Sequence, residues 1–365
     1  MNVQTLQRRL APVLRPAAAL YGMAMRIRAS RYAGGNAAAH RYRANCPVIS
    51  VGNISWGGTG KTPLVDYLLA TTREMSLNTI VLTRGYKAAP PSFPYIVTPG
   101  DTPAVAGDEP LLLAHGHPEA TVIVDAKRSR AAAWAERERA PDLFILDDGM
   151  QHLAMQRDLD IVLLKPEDLL DGWNKVMPSG TWRESFSALG RAHAFCIKAD
   201  EAVFSGIAPV AANRLAAFER PLFSFDLQAT HLTRLQANRD DTPETAQNLN
   251  GVPYTLLLGT GNPAQVHTTA TKFLGIPPAY EHILPDHHHY TEADVKKAAS
   301  HGCPIICTAK DAVKLTQLLP SFGNVPVWIL TVHVAFGPTL FTSASFATWW
   351  QGQWRALSCS RQVRP

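Results

Sequence analysis

Short apolar runs of three to six residues alternate along most of this chain with longer stretches whose apolar positions recur at three- and four-residue steps. A run of the first kind fits a strand buried on both faces, and a stretch of the second kind fits an amphipathic helix. Runs at 47–51, 79–82, 95–97, 121–124, 143–146, 160–164 and 194–197 predict strands, while 64–74, 109–115 and 126–139 predict helices. That order predicts an α/β fold: a mostly parallel sheet of the P-loop type with helices on both faces. At 222 the pattern changes. Residues 222–235 alternate as a hairpin does, and 236–251 is polar, with Asn, Asp, Thr and Pro. Residues 222–251 therefore read as a strand linker between two lobes, 45–221 and a smaller α/β lobe at 252–365. In the second lobe, 254–258, 305–307 and 325–330 predict strands, and 263–274, 292–301 and 311–319 predict helices. The tail after 330 carries no motif, and its Trp349, Trp350 and Trp354 fit either a core or a lipid interface.

Ahead of the first strand, residues 1–44 form a basic amphipathic arm. Leu6, Leu10, Val13, Leu14, Ala17, Tyr21, Ala24 and Met25 fall at helical spacing, and Pro12 and Pro16 predict a start or a kink near one of them. The first 65 residues hold eight arginines, Lys61 and no acid, whereas the other 300 balance 26 basic against 30 acidic residues. Positive charge is thus a property of this end. Three readings fit it: a helix lying on an anionic membrane surface, an acid-poor targeting peptide, or a helix packed on the next domain. A secretory signal is disfavoured because Gly22, Arg26 and Arg28 interrupt the apolar stretch. No apolar run approaches about 18 residues, so no transmembrane span is expected.

With 46% hydrophobic and 18% charged residues, the chain reads as globular. Its five cysteines suit a reducing compartment, and Cys303 and Cys307, lacking a second pair, read as core. The acidic balance beyond the arm and the absence of a recognisable module argue against a nucleic-acid partner.

The strongest chemical signal is VGNISWGGTGKTP, residues 51–63. A strand, a glycine-rich turn and a helix in this order point backbone amides into one concavity that holds phosphates. Ser55, Trp56, Gly57, Gly58, Thr59 and Gly60 form that turn, Lys61 reaches the β- and γ-phosphates, and the Thr62 hydroxyl suits Mg²⁺. Ser55 stands where the motif has its first glycine. Downstream, the apolar run ending in Asp147-Asp148-Gly149 has the form of an element whose carboxylate holds Mg²⁺, although a helix-capping turn would look the same. On residue chemistry alone, Asp108 fits an N-cap and Arg84 a strand-end ion pair. His287, His288 and His289 follow one another, which does not converge three side chains on one metal; a single general base or an exposed loop remain open.

Taken together, VGNISWGGTGKTP, TRGY (83–86), GDEP (107–110), ILDDGMQH (145–152), MPSGTWRES (177–185), PDH (285–287) and TAKDAVKL (308–315) resemble, in order and spacing, the tetraacyldisaccharide 4′-kinases of lipid A biosynthesis. The resemblance covers about 45–330. It implies transfer of the ATP γ-phosphate, with Mg²⁺, to the 4′-hydroxyl of a tetraacylated disaccharide 1-phosphate at the cytoplasmic face of the bacterial inner membrane, and no obligate protein partner. It further implies His287 as base with Asp108 orienting it, Lys61 on the phosphates, and Thr62, Asp147 and Asp148 around Mg²⁺. Glu184 would be a further metal contact, and Arg84, Tyr86, His152 and Arg183 would line the cleft. The alternative is a P-loop GTPase or metallochaperone of the metal-insertion class, which needs [NT]-K-x-D; the nearest match, Thr308-Ala309-Lys310-Asp311, has the wrong spacing.

Overall fold

The computed structural model describes residues 3–33, 41–236 and 244–362. Part of the polar stretch expected at 236–251 lies outside them. The chain begins with α1 (Val3–Ser30), β1 (Val48–Asn53), α2 (Lys61–Glu74), β2 (Thr79–Thr83), β3 (Tyr95–Ile96), α3 (Pro103–Ala106) and α4 (Asp108–Gly116). It continues through β4 (Thr121–Val124), α5 (Arg128–Arg139), β5 (Leu143–Asp147), β6 (Leu159–Leu164), α6 (Pro166–Leu169), β7 (Ala194–Lys198) and α7 (Glu201–Leu215). The second half holds β8 (Leu222–Arg234), β9 (Thr245–Ala246), β10 (Thr255–Leu258), α8 (Pro263–Leu274), β11 (Tyr280–Ile283) and α9 (Glu292–Ala299). It closes with β12 (Ile305–Thr308), α10 (Ala309–Leu315), β13 (Val327–Leu340) and α11 (Phe346–Gln362).

All the strands join one mixed, mostly parallel sheet in the order β11-β10-β12-β13-β8-β7-β6-β1-β5-β2-β4-β3, with β9 added to β8. From β8 to β4 the neighbours are parallel, as are those from β11 to β13. The two parallel groups meet along one antiparallel seam, β8 against β13, which runs from Leu222↔Leu340 to Arg234↔Trp328. β1, β5 and β6 are buried at every position, which is why they read as continuous apolar runs. The central β1 has β5 on one side and β6 on the other, so the loop leaving it opens where the strand order reverses.

Three of the sequence expectations change. α1 is a single helical segment through Pro12 and Pro16; both prolines are solvent-exposed, so water can satisfy the carbonyls that lose an amide partner. The segment expected to form a hairpin at 222–235 is one 13-residue strand, because its partner β13 is extended to Leu340 rather than ending near 330. β9 pairs with the far end of β8, Leu232 with Ala246 and Thr233 with Thr245. The third change concerns the tail. α11 leaves the half of the chain in which it was expected and packs on the first: Phe346 and Trp350 are fully buried in the cluster that also contains Leu64, Leu68 and Phe223. Trp349 and Trp354 lie against the same cluster, so the tryptophans serve the core. The strand β11 and helix α7 had also escaped the sequence pattern; β11 is an edge strand with mostly exposed residues and carries no apolar run.

Trp350→Ala should therefore lower stability by about 3–5 kcal/mol, the range for truncating a large buried aromatic. Urea denaturation should show the unfolding transition shifting with it; a shift worth less than about 1 kcal/mol would contradict this packing.

Candidate functional site

β1 delivers its chain into a loop that the rest of the protein holds by hydrogen bonds. Asn53 Nδ2 donates to Thr59 Oγ1 at 3.1 Å, and Gln151 Nε2 donates to the Asn53 carbonyl at 3.1 Å. The Ser55 hydroxyl donates to Asp168 Oδ2 at 2.7 Å, and Lys165 Nζ donates to the Trp56 carbonyl at 3.1 Å. Ser55 is not among the residues with positive φ, which explains why a serine is acceptable at that motif position, whereas Gly57 and Gly60 are. Gly60 also has no room for a side chain: a Cβ there would stand 2.8 Å from the Phe225 ring. It holds the N-cap of α2 with no side-chain cap, so the first amides of that helix stay available to an anion.

Facing this loop are two adjacent carboxylates with opposite surroundings. Asp148 accepts two 2.8 Å bonds from Arg183 Nη1 and lies 3.7 Å from Lys61 Nζ. Burial alone would raise its pKa, but Lys61 and Arg183 outweigh that and hold it below the usual carboxylate range. Asp147 ends β5 and is buried; its Oδ2 accepts from Thr83 Oγ1 at 3.2 Å, while its Oδ1 has no partner. Burial, reinforced by the Glu109 charge, raises its pKa. An unpartnered buried carboxylate oxygen is what a cation would complete. Among the described residues no group of three or more His, Cys, Asp or Glu could hold a metal. The free Asp147 oxygen fits Mg²⁺, which takes few protein ligands and relies on phosphates and water for the rest.

Glu184, expected near the metal, is buried with both oxygens engaged by Arg191, at 2.7 and 3.0 Å. His152 lies beneath the carboxylate turn with Nε2 buried and unpartnered; burial, then the charges of Arg128 and Arg157, pull its pKa down to about 3. Arg84 stands exposed at the end of β2, close enough to Arg128 for the two charges to oppose each other.

The acid and the histidine come from opposite halves of the sheet. Asp108 is the first residue of α4, and Gly107, with φ 87°, holds the cap position in its place. That frees the Asp108 carboxylate, whose Oδ2 meets His287 Nδ1 at 2.9 Å. The Tyr86 ring centre is 5.5 Å from that of His287. His288 instead pairs with Asp294 Oδ2 at 3.0 Å at the start of α9, and His289 is exposed, so the three consecutive histidines diverge.

Several residues at the site were given no site role from sequence. Arg128 is buried near both aspartates. Lys198, at the end of β7, packs against Gly60, and burial pulls its pKa down to about 8. Lys310 and Lys314 surround the acid–histidine pair. The available signal was the same for Arg128 and Lys198: a basic residue at or just beyond the carboxyl end of an apolar strand.

A family model described as tetraacyldisaccharide-1-P 4′-kinase matches residues 10–347. A tetraacyldisaccharide 4′-kinase of Oleidesulfovibrio alaskensis is 47% identical over 365 residues, spanning 98% of this chain and 99% of that protein. One from Nitratidesulfovibrio vulgaris is 45% identical over 361 residues, spanning 99% of each. A crystal structure of LpxK from Aquifex aeolicus in complex with ATP superposes with a TM-score of 0.72 at 26% identity, covering 95% of this chain and 99% of that one.

The buried His152 generates a stability prediction. Its folded pKa, about 3, lies below the ordinary 6.5, so between those values the unfolded chain binds the extra proton and stability falls as pH falls. His152→Gln should make the decline of the urea midpoint from pH 7 to pH 4 shallower. An unchanged slope would mean that this imidazole is not what the acid titrates.

Proposed function

We infer the roles of the site residues from one premise: the chain belongs to the tetraacyldisaccharide-1-phosphate 4′-kinase family. It transfers the γ-phosphate of ATP to the 4′-position of a lipid A precursor. The metal-insertion GTPase alternative does not survive that membership.

In our reading, His287 is the general base and Asp108 positions it. The observation that carries this is the 2.9 Å contact between His287 Nδ1 and Asp108 Oδ2, made between residues 179 apart in sequence. With Nδ1–H donated to the carboxylate, Nε2 presents its lone pair to the acceptor hydroxyl. Asp108 also stabilises the imidazolium that forms when the proton arrives. The ATP phosphates lie along 55–62, with the open amides of α2 and Lys61 on the β- and γ-phosphates. Thr62 and Asp147 would hold Mg²⁺, which when bound neutralises phosphate charge; Asp148, already paired with Lys61 and Arg183, orients those two cations. Glu184 fixes Arg191. Tyr86 and Arg84 border the acceptor side. Phosphoryl transfer asks little covalent chemistry of the protein, so positioning and charge dominate. We divide the chain accordingly into an arm (1–44), a nucleotide lobe (45–221) rejoined by α11, a strand linker (222–251) and a second lobe that supplies His287.

The acceptor is an acylated disaccharide 1-phosphate drawn from an anionic membrane, in our reading the cytoplasmic face of the inner membrane. Among the described residues no helix is long and apolar enough to cross a bilayer. Instead α1 has two apolar faces. Ala18 is buried and Tyr21 packs against the cluster that holds Ile54, Met150 and Trp182, while Val13, Leu20 and Ile27, spaced seven apart, are 79%, 65% and 50% exposed, with Arg15, Arg26, Arg28 and Arg31 around them. A second apolar face with arginines at its borders suits the headgroup boundary of an anionic bilayer. Beside α1 a cavity of about 480 Å³ is lined by Arg41, by Arg157 paired with Asp160, and by Arg191 paired with Glu184, so a phosphorylated headgroup there would meet Arg41 first.

His287→Ala and Asp108→Ala should each lower kcat by about 10²–10⁴-fold, the scale of general-base catalysis, with little change in ATP affinity. Transfer of labelled γ-phosphate to tetraacyldisaccharide 1-phosphate in detergent micelles measures this, and a normal kcat in His287→Ala would remove the base. For the arm, Leu20→Glu with Ile27→Glu should weaken sedimentation with anionic vesicles by at least about tenfold, given the apolar surface lost. Binding equal to the unsubstituted protein would place the membrane contact elsewhere.

A further inference from the structure

The TAKDAVKL segment has no role in the account above, yet it supplies two cations to the acid–histidine pair. β12 ends at Thr308 and α10 starts at Ala309, a junction fixed by Asp311. Asp311 is fully buried and accepts from Thr308 Oγ1 at 2.8 Å, Gly259 N at 3.1 Å and the Tyr290 hydroxyl at 2.9 Å. That anchoring sets the direction in which the next turn projects. Lys314 is buried, with Nζ 3.8 Å from Asp108 Oδ2 and 3.6 Å from Asp311 Oδ1 and above the Tyr290 ring. It belongs to the packing around Asp108.

Lys310 is placed differently. Its Nζ donates to Asp286 Oδ1 at 2.8 Å and lies 3.3 Å from His287 Nε2. An ammonium has donors only, so Nε2 must be the acceptor, which leaves the ring proton on Nδ1 facing Asp108. Lys310 therefore stands at the lone pair that the acceptor hydroxyl must reach. When that hydroxyl arrives at hydrogen-bond distance from Nε2, it displaces the Lys310 contact but not the Asp286 tether. Tethered there, the ammonium would lie beside the attacking oxygen and therefore near the phosphorus that oxygen attacks.

We propose that Lys310 is a catalytic cation, delivered by the second half of the sheet to the transferring phosphoryl group opposite Lys61. In the step it serves, a bond forms between the 4′-oxygen and the γ-phosphorus as the bond from that phosphorus to the β–γ bridging oxygen breaks. The hydroxyl proton passes to His287 Nε2, and ADP leaves with the electron pair. Negative charge spreads over the equatorial phosphoryl oxygens at that moment, and a fixed cation there acts on the transition state more than on bound ATP. Lys310 also guards the base: until acceptor binds, the ammonium occupies the Nε2 lone pair, so His287 cannot take a proton from a water that would otherwise attack the γ-phosphorus.

This rests on the reading of Asp108 and His287 as the base pair, and the experiment separates the two. The full-length enzyme in detergent micelles is compared as Lys310→Met, Lys310→Arg and His287→Ala, with tetraacyldisaccharide 1-phosphate as acceptor. Two quantities are read: kcat, and inhibition by ADP with aluminium fluoride, which mimics the transferring phosphoryl group. Lys310→Met should lose about 10²–10³-fold in kcat, the scale for removing one transition-state donor, and lose affinity for the fluoride complex in step. Its affinity for ADP alone should stay within threefold of the parent, and Lys310→Arg should recover most of both losses. A kcat within threefold of the parent in Lys310→Met would overturn the proposal. So would a fall in kcat with unchanged affinity for the fluoride complex, since that would leave Lys310 only a structural partner of Asp286. If His287→Ala turned over normally while Lys310→Met lost rate and fluoride affinity together, the base would fall and the cation would stand.

Discussion

The antiparallel pairing of Leu222–Arg234 with Val327–Leu340 is the constraint on which the site depends. Each parallel half of the sheet presents its own strand ends, and ligands bind at the carboxyl ends of parallel strands. The first half offers the glycine-rich loop and two carboxylates; the second offers a histidine and two lysines. In the proposed reading the anion site and the base therefore come from different halves. The long ladder, with α10 packed on α4, places Asp108 within hydrogen-bond reach of His287 although 179 residues separate them. The return of α11 to the first core adds a second tie between the halves.

Charge within the site is sorted by surroundings as much as by residue type. Asp147 and Asp148 are neighbours in sequence, yet one has an unpartnered oxygen in a dry position and the other is held by Lys61 and Arg183. Burial raises the first pKa, and paired cations lower the second. The same division runs through the lysines. Lys314 is enclosed against Asp108, Asp311 and the Tyr290 ring, whereas Lys310, four residues on the amino-terminal side and one helical turn away, lies at the histidine's free nitrogen.

The family assignment limits what the nucleotide does, and the proposed membrane contact rests on α1. The inward face of α1 is committed to the protein through Ala18 and Tyr21, and the outward Val13, Leu20 and Ile27 stay half-exposed or more. Arginines beside such a stripe keep it soluble and give it a preference for anionic surfaces.

Much of this was legible in the sequence because it depends on local chemistry. A strand buried on both faces must be apolar throughout, so β1, β5 and β6 announced themselves, and a phosphate loop needs glycines where φ is positive, so 51–63 did too. The order of seven motifs identified the family. What stayed hidden depends on partners far away in the chain. The edge strand β11 lacks an apolar run, the length of β13 is set by β8, and the fate of Trp350 depends on a cavity built by residues such as Leu64 and Phe223. Asp108 looked equally like a helix cap until Gly107 took that position and freed the carboxylate. Sequence determines which groups the chain carries and which segments must be dry. Only the tertiary structure decides which groups meet, because hydrogen bonds and ion pairs act over a few ångströms, a distance that sequence spacing does not encode across the seam.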